Sequence, residues 1–510
     1  VKISKKVILF MTLISILISS FLLSCNSGNN SNNNNGNVPD AQNNTQGSSD
    51  NTGTTENPAA KDDLAPQDFG GKDFTILVNP DPSFRHFYDV CVESMNGELV
   101  NDAAYNRNLA VEDRFNVQIK DNQVKDVAGT IKKSVSAGTV DFSAAWVIIT
   151  DYGTLSKQNM FTDLYTIPNL NLQKIYWDQN VVRDFTLDNK LYGIMGDIST
   201  SVSVFTHLLG LNKVAAQDNG IDVASIYQSA RDGTWTLDKF YSIIKGVYRD
   251  LDGDGTTNYA DLYGFGVSPA ICETTFTASG EKWVGKDANG NLVLNQPTAR
   301  ITDVYNKLME ILTDKYATYT TWESAGKVKG PMRTTDYEYV YYDKFMNNTV
   351  LFDDIDMGIV MDYRQLVNSD FGIVPEPKFE ESQPNYSVYA YPFYPMLTVP
   401  STYSGDSDSL NFIGTIMEGL GSSSYKILTP AFYDTAFQTK YTRDDDSIEM
   451  LDIILHSRIY DFMNVYNFGG FDTAIWNQVQ KADLNIASLF EKYQPKAEAD
   501  IQKLIDSYSN

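Results

Sequence analysis

A chain of 510 residues is too long for one compact core, so its length points to two lobes or domains with appended segments. Its formal net charge of −25 repels phosphate backbones and anionic lipid headgroups, which argues against nucleic-acid binding and against a polybasic membrane role. Soluble partners should be neutral or cationic, and an excess of tyrosine, 31 residues, suits surfaces that are apolar on one side and hydrogen-bonding on the other.

The first elements form a leader. Lys2, Lys5 and Lys6 precede an apolar run from Val7 to Leu23, and a break follows at Ser24 and Cys25. This anatomy describes a secretory signal over residues 1–24 and not a stable membrane span. The sequence LLSC resembles the lipobox of bacterial lipoproteins, in which the cysteine becomes the lipidated first residue, here Cys25. Residues 25–63, SGNNSNNNNGN and similar after the cysteine, cannot bury enough apolar surface to fold and read as a flexible tether. Together they predict a body anchored by lipid to the bacterial cell membrane, on its extracellular or periplasmic side. Cys91 and Cys272 remain, either as one disulfide or as two separate buried thiols, and neither spacing matches a zinc or redox motif.

The body opens with a strand at Phe74–Val78, then a helix whose Ala104, Val111 and Phe115 share a face, then a short strand around Val117 and Ile119. A helix near Ile131–Val135 leads to a strand over Val140–Val147. Alternating strands and helices predict a parallel sheet with helices on its faces, and such sheets take ligands at the carboxyl ends of their strands. In GTWTLDKFYSIIKGVYRD, Thr236 caps a predicted helix with Leu237, Phe240, Tyr241, Ile244, Val247 and Tyr248 on one stripe. That helix is expected to run directly into the next motif. Later, Asn289-Gly290 predicts a hairpin, and the last third returns to helices near 447–462 and at the C-terminus.

The motif is DLDGDGTTNYAD. Asp250, Asp252 and Asp254 occupy positions 1, 3 and 5 of a calcium loop, Gly255 position 6, Thr256 position 7 through its carbonyl, Asn258 position 9 and Asp261 position 12. DLYGFGV follows with two glycines and alternating Tyr263, Phe265 and Val267, a strand and not a second helix. A calcium sensor needs a pair of helices to open. The flanks therefore predict structural Ca²⁺ that staples the loop.

The order of segments from residue 69 to 508 resembles the extracellular solute-binding lipoproteins of ABC import systems, in the carbohydrate-binding branch of family 1. The resemblance is carried by GELVNDAAYNRNLAVEDRFNV, DLYTIPNLNLQKIYWDQN, NKLYGIMGD, LGLNKVAAQDNGI, GTWTLDKF with the aspartate loop, FGIVPEPKFEESQPNY and SYKILTPAFYDTAF. It implies an α/β, two-lobed periplasmic-binding-protein-like fold (type II) with the ligand cleft between lobes. The implied N-terminal lobe is 64–198 with 352–395, and the C-terminal lobe is 199–351 with 396–510, with crossings after Asp197, near Leu351 and near Pro395. The implied partners are a carbohydrate and ABC permease subunits, with the receptor itself a monomer.

Sugars present flat C–H faces and a rim of hydroxyls, so a sugar site needs aromatic platforms and planar hydrogen-bonding groups. Trp146, Trp177, Asp197, Tyr391 and Phe393 stand near the proposed strand ends and crossings. Each has an ordinary structural role open to it, as a packed ring or a helix cap. His86, His207 and His456 fall in no HExxH, GxSxG or P-loop spacing, so no enzyme is expected. A lipid-anchored glycoside hydrolase, which needs only two placed carboxylates, and a surface adhesin are the competing classes.

Overall fold

The computed structural model describes residues 58–80, 92–268, 270–321, 343–366, 369–432 and 445–509. The leader, Cys25, tether residues 26–57, His86 and Cys91 lie outside the described residues, whereas residues 58–63, expected in the tether, pack on the body: Ala60 and Asp62 are buried, and the Asp62 carboxylate accepts from Arg114 and Ser422. Cys272 is free and buried. No helix among the described residues is long and apolar enough to cross a membrane.

The strands, in chain order, are β1 (Lys72–Val78), β2 (Val117–Gln123), β3 (Ala144–Ile148), β4 (His207–Asn212), β5 (Tyr263–Val267), β6 (Val284–Lys286), β7 (Leu292–Leu294), β8 (Thr318–Thr320), β9 (Val350–Asp356), β10 (Phe371–Val374), β11 (Val388–Tyr389), β12 (Pro395–Thr398) and β13 (Arg458–Ile459). They build a four-stranded sheet, β12-β3-β1-β2, and a five-stranded sheet, β10-β4-β9-β5-β8, with two small pairs, β11-β13 and the hairpin β6-β7.

In the first sheet β1 runs parallel to β2 and β3, and β12 returns antiparallel beside β3. The helix Leu99–Phe115 connects β1 to β2 and buries Ala104, Val111 and Phe115, the face that their spacing requires. Glu98 caps its start by accepting from the N–H groups of Val100 and Asn101.

The second sheet mixes parallel and antiparallel pairs, and its strands are assigned differently from the expected lobes. β9 and β10 pair in the second sheet, where residues 352–395 were expected in the first lobe. β12 joins the first sheet, and the helix Ser407–Pro430 packs on Leu99–Phe115, where 396–510 were expected in the second lobe. The helix Asp445–His456 then packs on β10. The chain thus crosses between sheets before β4, between β10 and β12, and again after the helix Ser407–Pro430. Local periodicity identifies strands, but which sheet a strand joins depends on partners hundreds of residues away.

The helix Leu237–Ile244 buries Leu237, Phe240 and Ile244, with Thr236 accepting from the Lys239 N–H. It ends earlier than expected, at Ile244 with Gly246 just beyond, so Lys245–Arg249 separate it from the aspartate loop. Paired backbone bonds between Arg249 and Leu262 close that loop at its base. Lys344 locks the exit: its ammonium donates to the carbonyls of Tyr259 and Asp261 at 2.9 Å and lies against the Tyr259, Tyr263 and Tyr319 rings.

Candidate functional site

A cavity of about 510 Å³ lies between elements of the two sheets. The first-sheet side supplies Tyr176–Asn180, Gly196, Asp197 and Thr429, and the helix Asp445–His456, seated on β10, supplies Ile448, Leu451, Asp452 and Leu455. Gly196 permits the close approach that shapes one wall, because a Cβ there would fall 2.1 Å from the Tyr176 carbonyl oxygen. The Asp197 N–H donates to that same carbonyl at 2.9 Å, which fixes the Asp197 carboxyl at the cavity.

Burial pushes Asp197 up to about 7, opposed by a hydrogen bond from Thr429 and by the charge of Arg458. Asp178 is differently employed. Its Oδ1 caps the helix Gln179–Phe185, and its Oδ2 accepts from the Tyr460 hydroxyl at 2.8 Å and from Arg458 at 3.5 Å. The cavity thus combines three carboxyls, of Asp178, Asp197 and Asp452, and the Arg458 guanidinium with apolar side chains, a set that can accept from and donate to a polyhydroxylated ligand.

The anticipated aromatic residues fall in three places. Trp177 lines the cavity beside Asp197 but is only 1% exposed, and its Nε1 donates to Glu418 at 3.1 Å while the Tyr176 hydroxyl donates to the other Glu418 oxygen. It supports the wall from behind and offers no open face. Trp146 is buried in β3 opposite Leu397 of β12, apart from this cavity. Tyr391 and Phe393 lie on the return crossing with ring centroids 4.9 Å apart, and Tyr391 sits 5.7 Å from the His207 ring. Phe393 is 42% exposed and approaches Phe205 at 6.4 Å, so this run presents aromatic surface beside the crossing.

Around His207 the structure gathers residues that sequence reasoning missed. Leu209 of β4 pairs with Asp354 of β9 on one side and Val374 of β10 on the other. Counting two residues along each strand brings His207 and Glu376 to the same face as Asp354. His207 Nδ1 lies 3.3 Å from Asp354 Oδ1, and the ligating atoms of His207, Asp354 and Glu376 all fall within 4.8 Å of one another. All three are buried. Burial and the neighbouring Asp354 push the Glu376 carboxyl well up. Glu273, on the helix Ile271–Ala278, is buried too, and burial, then Asp472 and Asp354, raise its carboxyl. One signal was available: VLFDDID sets three acids into an apolar strand, where a solvated turn would be the ordinary place for them.

The aspartate loop is the exposed counterpart. The carboxylate oxygens of Asp250, Asp252 and Asp254 lie within 4.8 Å of one another. Asp250 accepts from the N–H groups of Gly253 and Gly255, of which the Gly255 bond does most to hold its carboxyl below the usual range. Thr256 donates to Asp254, and the Asn258 side chain spans Asp252 and Asp254. Asp261 stands apart from this group. It is fully buried, and it accepts from the N–H groups of Leu251 and Asn258 and from the Tyr248 hydroxyl, bracing the loop from beneath. Gly253 and Gly255 both take positive φ, which lets the three carboxylates turn inward.

No profile of a known family matches the chain, and no curated protein does. Solved structures do. An ABC substrate-binding protein from Listeria monocytogenes in complex with cycloalternan is similar, with a TM-score of 0.52 and 11% identity over 86% of this chain and 99% of that one. A cyclo/maltodextrin-binding protein complexed with maltotetraose gives a TM-score of 0.51 at 12% identity, covering 86% and 97%. UgpB from Mycobacterium tuberculosis, in complex with glycerophosphocholine, gives 0.51 at 14% identity, covering 86% and 100%. At these identities the likeness shows the fold, the two-lobed α/β architecture of solute-binding proteins.

Proposed function

We propose that this chain is an extracellular receptor that captures a carbohydrate, an oligosaccharide, and hands it to an ABC import permease without chemical change. The observation that carries this reading is the cavity lined from both lobes, with Asp197, Asp178 and Arg458 at one wall. A volume of about 510 Å³ falls in the usual range for small-ligand sites. Two of the similar structures hold cycloalternan and maltotetraose, while a third holds glycerophosphocholine, so fold alone leaves the solute class open. The lining supports a neutral polyol: Asp178, Asp197 and Asp452 against Arg458 offer hydroxyl-pairing groups and little to hold a phosphodiester.

In the same reading Cys25 carries the lipid, residues 26–57 hold the monomeric body away from the membrane, and Tyr391 and Phe393 supply sugar-stacking faces near the crossing. The aspartate loop holds Ca²⁺ as a staple: Asp250, Asp252 and Asp254 offer hard carboxylate oxygens, Thr256 its carbonyl and Asn258 its side-chain oxygen once the amide, whose nitrogen faces Asp252 and Asp254, turns over, above the brace of Asp261.

The test is a thermal-shift screen of the mature chain against mono- and oligosaccharides, with chromatography of the sugar afterwards. A ligand at about 100 times its Kd adds ~2.7 kcal/mol to the stability of the native state. A receptor gives a saturable shift and returns the sugar intact. Shortened products at catalytic protein concentration establish a hydrolase, and the absence of a shift from every sugar removes the receptor reading.

A further inference from the structure

We propose that His207, Asp354 and Glu376 form a second cation site, buried and separate from the exposed aspartate loop, that takes a divalent first-row metal ion of the zinc class. One imidazole nitrogen and two carboxylates from three adjacent strands or their ends make the donor set. Zinc holds such ligands at ~2.0–2.2 Å, which requires ligand atoms roughly 3.3 Å apart in a tetrahedron. His207 and Asp354 already stand at 3.3 Å, and Glu376 completes the group within 4.8 Å, so a small inward movement closes it.

Two further observations point to an occupant. Glu376 Oε1 is buried with no hydrogen-bond partner among the described residues, in a group that already contains a second buried acid. No lysine or arginine among the described residues pairs with Asp354 or Glu376. Lys378, two residues beyond Glu376, turns its ammonium to the carbonyls of Glu381 and Gln383 instead. Glu376 Oε1 is unpartnered and the rest of its carboxyl faces a second buried acid, Asp354, so ionising both is costly, and a metal ion would satisfy the two at once. Asp354 is also oriented from behind, since its Oδ2 accepts from the Ser268 hydroxyl at 2.6 Å and from the Ser268 N–H at 3.2 Å. Outer-shell donors of this kind fix ligating carboxylates.

The site has a structural consequence. His207 opens β4 just after the first crossing, and Glu376 follows β10 just before the return crossing. An ion there ties the start of one interlobe segment to the end of another. The inference stands apart from the carbohydrate reading, since none of its three donors lines the cavity.

The experiment loads the chelator-treated mature chain, carrying Asp252→Ala and Asp254→Ala to disable the exposed loop, with Zn²⁺ and with Co²⁺. His86→Gln and His456→Gln leave His207 as the only histidine, so its ¹⁵N imidazole resonances report directly on the site. The expected result is one metal per chain, tetrahedral cobalt absorption in the visible, and a shifted His207 ring. Glu376→Gln, isosteric and neutral, should weaken zinc binding at least ~100-fold, beyond the 10–100-fold typical of outer-shell losses. No stoichiometric uptake, an unmoved His207 resonance, or equal affinity in Glu376→Gln overturns the proposal. Should Glu376→Gln fail to fold, the His207 resonance in the otherwise intact chain decides alone.

Discussion

In the loop from Asp250 to Asp261 three carboxylates face solvent and are held by N–H groups only a few residues away, whereas Asp354 and Glu376 are buried beside His207 by strands that meet from distant parts of the chain. Water screens the first group, so each acid there costs little to ionise and contributes little alone. The second group has no such screening, and its protonation or its occupant must settle its charge. The same functional group therefore carries a small, ion-dependent term in one region and a large, packing-dependent term in the other.

The contrast breaks most sharply on single substitutions. Asp354→Ala removes the acceptor of Ser268 and the neighbour of His207, and should cost about 3–5 kcal/mol in urea unfolding. Asp254→Ala, measured in chelator, should stay within about 0.5 kcal/mol. Comparable losses from the two would erase the distinction between the regions.

A third buried acid extends the comparison through pH. Burial pushes Glu418 up to about 7, against the hydrogen bonds from Tyr176 and Trp177 that lower it. Because the folded value lies above the ordinary 4.5, this group's stabilisation is complete below pH 4.5 and is lost as pH rises through about 7. The full loss is ~3 kcal/mol, and Glu418→Gln should flatten that part of the stability profile. A slope unchanged in Glu418→Gln would assign it to other groups.

Within the loop itself the buried and exposed acids should separate again. Asp261→Ala orphans the N–H groups of Leu251 and Asn258 and the Tyr248 hydroxyl, a loss of about 2 kcal/mol with or without calcium. Asp252→Ala with Asp254→Ala should remove only the calcium-dependent part, ~1.4 kcal/mol at calcium ten times the Kd. Sugar affinity should hardly change in that variant. A tenfold shift in affinity with calcium would make the loop regulatory and end its reading as a staple.

These regions also show what was legible beforehand. The aspartate loop is written in twelve consecutive residues, and so are the Thr236 cap and the buried face of Ala104, Val111 and Phe115. Asp197 adjoins the first crossing, a position that chain order can mark, and it lines the cavity. Trp177 was visible as an aromatic residue, but its commitment to Glu418 spans 241 residues and has no local trace. The His207 cluster depends on the register of β4 against both β9 and β10, and the assignment of β9, β10 and β12 to their sheets depends on pairings of the same kind. Periodicity reports which face of a strand is buried and is silent on what stands opposite.

Closure of the two lobes on a carbohydrate, as proposed, is checked by small-angle scattering of the mature chain with and without a sugar from the thermal-shift screen. A ligand touching both lobes favours the arrangement that brings them together. Closure gives a smaller radius of gyration at saturation with the sugar recovered intact. An unchanged radius at saturation, or a cleaved sugar, would contradict it.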